Sequence, residues 1–161
     1  MVVDVRTNAQ IVLPDRKIVR ASNSRYIQEV RTNITSPTEA IRYFRENIYV
    51  PFDHCLQEEF WVLMLDAKNV VTHQAMIYRG TITMVVIRLA EVFRPVIATN
   101  ATAIIIGHNH PSGDPTPSPE DVQVTRSLVE AGQLLGVEVL DHIVVGAKLS
   151  KSLKEAGLGF E

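Results

Sequence analysis

The sequence predicts a mixed α/β (α+β) fold in which a mixed sheet carries helices on its faces. Three observations lead there. Residues 59–66 and 103–107 form runs of strand length that are apolar almost throughout, the pattern of strands buried on both faces. Two Ser-Pro pairs, Ser36-Pro37 and Ser118-Pro119, each open a stretch with apolar residues at helical spacing. The elements then run helix, strand, strand, helix, strand, helix, strand, an order that suits helices packed against a mixed sheet.

The chain has 161 residues, which suits one domain with a single core. Hydrophobic residues make up 46% and charged residues 21%, an ordinary globular balance. Cys55 is the one cysteine, so no disulfide forms within the chain, which fits a reducing cytoplasm. No apolar run approaches the ~20 residues that span a bilayer, so no membrane association is expected. Nor does the start, Met1-Val2-Val3-Asp4-Val5-Arg6, have the layout of a signal peptide. The net charge of −2 and pI near 6.2 give no electrostatic footprint for nucleic acid. Residues 1–33 nevertheless carry six basic and three acidic side chains, a local charge of +3.

Residues 1–35 read as an extended N-terminal arm with short strands at 11–13 and 17–19, and residues 36–161 as the domain. Ser36, Pro37 and Glu39 make a capping-box start for a helix over 37–48, which Pro51 stops. Residues 59–66 are a strand, 67–69 a turn, and 70–79 the returning strand of a hairpin. Val85, Leu89, Val92 and Val96 predict a helix over 84–99. Pro95 lies inside it, and an interior proline costs ~3 kcal/mol, so a kink or two pieces are expected. A strand over 101–107 follows, then a helix over 119–135 with Val124, Leu128, Ala131 and Leu135 on one face and Gly136 to end it. Residues 137–145 are a strand. Residues 150–161 are expected to form a short helix and tail.

The chemistry concentrates between the third strand and the third helix. His108 and His110 are two apart, so in a strand they point to the same side, ~6–7 Å apart at Cα. Asp121 adds a carboxylate from the helix start. A His-His-Asp set suits one Zn²⁺, with water in an open fourth position, and zinc brings the pKa of such a water to ~7. Ser118, three residues before Asp121, offers a donor for a developing oxyanion. Glu58 and Glu59 both offer a general base at the edge of an apolar strand, and neighbours in a strand face opposite ways. His142 and Asp141 are candidates for contacts behind the ligands, though a hydrogen-bonded core histidine explains His142 equally well. Ser118 and Asp121 also make a good helix start in themselves. The histidine spacing turns the balance toward a metal site.

The run His108-x-His110-Pro111, then Ser118-x-x-Asp121, with an upstream glutamate, resembles the JAMM (MPN+) metalloprotease motif. More narrowly, His108-Asn109-His110-Pro111-Ser112-Gly113-Asp114, Pro117-Ser118 and Leu140-Asp141-His142-Ile143-Val144-Val145-Gly146 resemble the RadC family, as do Gly80-Thr81 and Glu91-Val92-Phe93. The resemblance covers roughly residues 36–158. It implies a three-layer sandwich akin to cytidine deaminases, one zinc ion on His108, His110 and Asp121, a glutamate general base, and Ser118 facing the reacting carbonyl. In the family pattern the glutamate lies two residues before a phenylalanine, which favours Glu58 of Glu58-x-Phe60 over Glu59. The implied activity is hydrolysis of a peptide or isopeptide bond in a peptide or protein substrate. Two other functions stand beside it: a DNA-associated protein of repair or mobile elements, and a non-catalytic scaffold. No helix-hairpin-helix region is read ahead of the domain, which weakens the DNA link. Arg88-Leu89-Ala90 stands where the family often has histidine-proline-arginine, and no ligand lies there.

Overall fold

The structure, a computed structural model, describes residues 18–19, 27–80 and 87–161. The arm's expected strand at 11–13 and the first part of the expected 84–99 helix lie outside these residues. The strands are β1 (Ile18–Val19), β2 (Ile27–Asn33), β3 (Glu58–Leu65), β4 (Val70–Gly80), β5 (Ala103–Asn109), β6 (Glu138–Val145) and β7 (Ser150–Ser152). They form one sheet in the order β1-β2-β4-β3-β5-β6-β7. Among the described residues only β5 and β6 pair in parallel; the other neighbours are antiparallel. A parallel pair needs a crossover, and α3 (Pro119–Leu135) supplies it.

Side-chain alternation divides the core into two layers. On one face, Phe60, Val62 and Met64 of β3 and Ile104 and Ile106 of β5 pack with Val92 and Val96 of α2 (Leu89–Ala98) and with Val124 and Leu128 of α3. On the other, Leu63, Leu65, Ala103 and Ile105 pack with Ala40 of α1 (Pro37–Tyr43) and with Phe44, which opens a π-helical turn over Phe44–Ile48. The result is three layers: α1, the sheet, and the α2–α3 pair. Gly107 leaves no room for a side chain on the α1 side, where an added Cβ would lie 2.4 Å from the Phe44 ring.

Several expectations change in detail. Residues 27–33, read as part of the arm, are a full strand of the sheet; their pattern is mostly polar because β2 has only β1 beyond it, and Gln28 is buried against Gln74. Ser36 caps α1 by accepting from the Glu39 N–H, but the Glu39 carboxylate reaches Thr35 (2.7 Å to its N–H). Helix α2 begins at Leu89, and Pro95 sits inside one continuous helix, not at a break between two. The helix expected after residue 150 is replaced by β7 and turns. The buried Asp141 carboxylate accepts from the Ser152 hydroxyl (2.7 Å) and the Lys154 N–H (3.3 Å), and so draws that segment onto the edge of β6. Helix α3 runs over the predicted residues and ends at Gly136 in the left-handed region (φ 70°).

Candidate metal centre

The site lies where β5 ends and α3 begins, beyond the carboxyl end of a parallel strand, a common position for sites in such sheets. Strand alternation turns His108 toward the α2–α3 face, together with Ile104 and Ile106. His110 follows one residue beyond β5, its N–H still bonded to the Val145 carbonyl (2.9 Å). Ser118 caps α3, accepting from the Asp121 N–H, while the Asp121 carboxylate accepts from the Ser118 N–H (2.7 Å) and hydroxyl (2.7 Å). This reciprocal box fixes Asp121 in the first turn of the helix, aimed at the histidines.

The three predicted ligands come together. Nε2 of His108 and Nε2 of His110 lie 3.0 Å apart. The Asp121 oxygens lie 3.1 Å from His108 and 3.4 Å from His110. His108, His110 and Asp121 can together hold a metal ion, one ligand atom from each. The donor chemistry fits such an ion. The His110 Nδ1 lies 2.9 Å from the Asp114 carbonyl, and a carbonyl only accepts, so Nδ1 donates and a neutral ring keeps its lone pair on Nε2. Burial pushes the Asp121 carboxyl up, but the positive charge that the His108 and His110 rings carry when protonated outweighs it and holds the group far below the usual carboxylate range. The His110 ring is raised, first by its bond to Asp121, with burial opposing.

The two glutamates separate as alternation requires. Glu59 turns to the far side, where one oxygen meets Arg79 (2.6 Å) and the other accepts from the Trp61 indole (2.9 Å). Glu58 shares its face with Phe60, whose Cα partner on β5 is His108 and whose ring stacks on that histidine at 6.3 Å. Glu58 lies close enough to His110, just past the end of this pairing, for its charge to raise that ring.

His142 and Asp141 part company as well. His142 is fully buried behind His108, its Nε2 2.8 Å from the His108 Nδ1 and its Nδ1 2.6 Å from the Thr125 hydroxyl. Burial, with His108 and His110 adding to it, holds this ring well below the ordinary imidazole range. Asp141 turns away and serves the β7 turn. Burial raises its carboxyl, against the bonds it accepts from Ser152 and the His142 N–H.

Three residues that position the site escaped the sequence reading. Thr125 backs His142 from α3. Asn109, between the two histidines, alternates to the opposite side and clamps the start of β3. Arg45 donates from the π-helical turn to the carbonyls of Gly146 (3.0 Å) and Ala147 (2.9 Å), and the Ala147 N–H in turn bonds the Gly113 carbonyl (3.0 Å) in the loop after His110. Only Asn109 left a signal, a buried-strand position whose amide needs partners.

Comparison with known proteins agrees with this geometry. The model of the RadC-like JAB domain family matches residues 34–158. A UPF0758 protein of Roseiflexus sp. (strain RS-1) is 46% identical over 127 residues, covering 79% of this chain and 53% of that protein. One from Chloroflexus aggregans is 42% identical over 146 residues, covering 91% of this chain and 60% of its own. One from Bacillus cereus (strain G9842) is 44% identical over 127 residues, with 79% and 55% covered. The chain thus spans little more than half the length of these relatives. Among the described residues no helix is long and apolar enough to cross a membrane. With the His-His-Asp group, the three layers and the family match in agreement, this chain belongs to the RadC-like JAB domain family.

Proposed function

We propose that the chain is a zinc-dependent hydrolase of peptide or isopeptide bonds. One observation carries this: two imidazole Nε2 atoms 3.0 Å apart converge with a buried carboxylate, on the same side of the sheet as Glu58. Two nitrogens and an oxygen with an open fourth position are the donor set of a catalytic zinc site. When bound, zinc supplies Lewis acidity and a water acidified into the neutral range.

The chain's own groups divide the remaining work. His108, His110 and Asp121 hold the ion. Glu58 takes a proton from the attacking water and delivers it to the leaving amine. Ser118 serves the developing oxyanion; its hydrogen now bonds Asp121 Oδ2, so this role requires it to turn from the carboxylate to the substrate. Phe60 excludes water from the inner side of His108 by stacking on it. A cytoplasmic setting belongs to the same reading, and lone Cys55 suits it.

The test is hydrolysis of peptide-linked and isopeptide-linked fluorogenic probes by the full chain, with its zinc content measured alongside. Chelated protein and Glu58→Gln serve as controls. Cleavage that requires both zinc and Glu58 supports the proposal. A zinc-loaded chain no faster than its Glu58→Gln variant on every probe would make it a metal-binding scaffold instead.

A further inference from the structure

We propose that Thr125 and His142 set the direction of a buried hydrogen-bond line that leaves Nε2 of His108 with a lone pair. Both are then positioning residues for a metal ligand. The inference rests on the metallohydrolase reading of the site.

The line has three bonds. His108 Nδ1 lies 2.8 Å from His142 Nε2, His142 Nδ1 lies 2.6 Å from Thr125 Oγ1, and the Thr125 hydroxyl lies 2.6 Å from the Asp121 carbonyl. His108 and His142 are each 1% exposed and Thr125 is 0% exposed, so the line is shut off from bulk water. Each bond holds one hydrogen, and the line can run in two directions. A carbonyl accepts and never donates. The bond to Asp121 therefore exists in one direction only: Thr125 donates to Asp121, His142 Nδ1–H donates to Thr125, and His108 Nδ1–H donates to His142 Nε2. His108 is then left with a lone pair on Nε2, 3.1 Å from the Asp121 carboxylate. In the reverse direction Nε2 carries the hydrogen and cannot ligate a metal.

A ligating histidine usually hands its other N–H to a carboxylate, a carbonyl or water, each of which can always accept. An imidazole behind it is a weaker guarantee, because it has two tautomers and only one accepts at Nε2. Thr125 removes the ambiguity. It sits one turn after Asp121 on α3, so the helix that presents the carboxylate ligand also fixes the tautomer of the histidine ligand. Phe60 holds both rings in place, stacked on His108 and edge-on to His142 at 5.7 Å.

The experiment measures zinc affinity of the full chain by competition with a chelating indicator, for wild type, Thr125→Val, Thr125→Ser and His142→Leu. Valine keeps the shape of threonine and removes the hydroxyl; serine keeps the hydroxyl. Thr125→Val and His142→Leu should weaken zinc binding by about 10- to 100-fold, and Thr125→Ser should restore most of it. A Thr125→Val protein that binds zinc as tightly as wild type overturns the inference. Nitrogen-15 spectra of the histidine rings give a second readout that needs no variant to fold. His142 should carry its hydrogen on Nδ1 with and without zinc, and a hydrogen on Nε2 also overturns the inference. A wild type that binds zinc with His142 in the expected tautomer, yet cleaves no probe, would sink the proposed hydrolase and leave this line standing.

Discussion

The Asn109 side chain holds the backbone on both sides of Glu58. Its Oδ1 accepts from the Glu59 N–H (2.7 Å) and its Nδ2 donates to the Gln57 carbonyl (3.0 Å). The residue between the two proposed histidine ligands thus places the proposed base on the neighbouring strand. Asn109→Asp turns the donating end into an acceptor facing the carbonyls of Gln57 and Cys55. It should lower stability by at least ~1–3 kcal/mol, since a buried group loses its partner. Turnover should fall by about 100-fold where the base shifts by about 1 Å. Denaturant unfolding and probe hydrolysis on the same preparation check both, and full stability with full turnover counts against the clamp.

Glu58→Gln and Glu59→Gln should behave oppositely. The first keeps zinc and loses turnover. The second keeps turnover and loses the pairing with Arg79 and Trp61, a partly exposed contact worth about 1 kcal/mol or less. Metal analysis and probe hydrolysis on both proteins decide between the two glutamates. Loss of turnover in Glu59→Gln alone would reverse the assignment.

Zinc should raise the melting temperature of the wild type and leave that of Asp121→Ala unchanged. At about 100-fold excess over the dissociation constant the gain is ~2.7 kcal/mol. Affinity should weaken on acidification. Asp121 raises the His110 ring, so this ring holds a proton more readily than an ordinary histidine and must give it up to ligate. A thermal scan across the neutral range, with and without the ion, measures this. A shift in Asp121→Ala equal to that of the wild type would remove Asp121 from the ligand set.

Gly107→Ala should destabilise the fold by ~1–3 kcal/mol or more, because the new methyl meets the Phe44 ring inside a packed layer. Combining it with Phe44→Leu should recover part of the loss, a coupling that a double-mutant cycle reads directly. Strict additivity would mean that the ring is not what excludes the methyl.

Asp141→Asn should loosen β7 without changing zinc affinity, since its carboxylate serves Ser152 and Lys154, while asparagine keeps an oxygen to accept from the His142 N–H. Hydrogen exchange should rise across residues 150–156 while metal content stays at the wild-type value. A weakened zinc site would return Asp141 to the support of the ligands.

The His108–His110–Asp121 group was legible in the sequence because it is local. His108 and His110 share a strand face and Asp121 opens the next helix, so spacing alone brings them together. Glu58 was favoured over Glu59 through the Glu58-x-Phe60 pattern; which face each takes depends on how β3 pairs with β5, a long-range property. Helices α1 and α3 announced themselves through Ser36-Pro37 and Ser118-Pro119, whose caps act within a few residues. Strand β2 did not, because a mostly polar strand next to the sheet edge carries little apolar alternation and Gln28 is buried only by meeting Gln74. The segment after residue 150 misled for the same reason: the acceptor that bends it, Asp141, is on another strand. Thr125 reads locally as an ordinary helix residue, and only the fold shows His142 beneath it.

The placement of Glu58 also separates two quantities that are often equated. All three proposed ligands lie on the β5–α3 unit, within residues 108–121, while the proposed base arrives on β3 through the β3–β5 hydrogen bonds and the Asn109 clamp. A molecule whose β3 has slipped or frayed would still retain its ion and pass a metal assay. Occupancy therefore reports on one unit of the protein, whereas turnover reports on the seam between two, and damage to that seam would produce protein that is fully loaded yet silent.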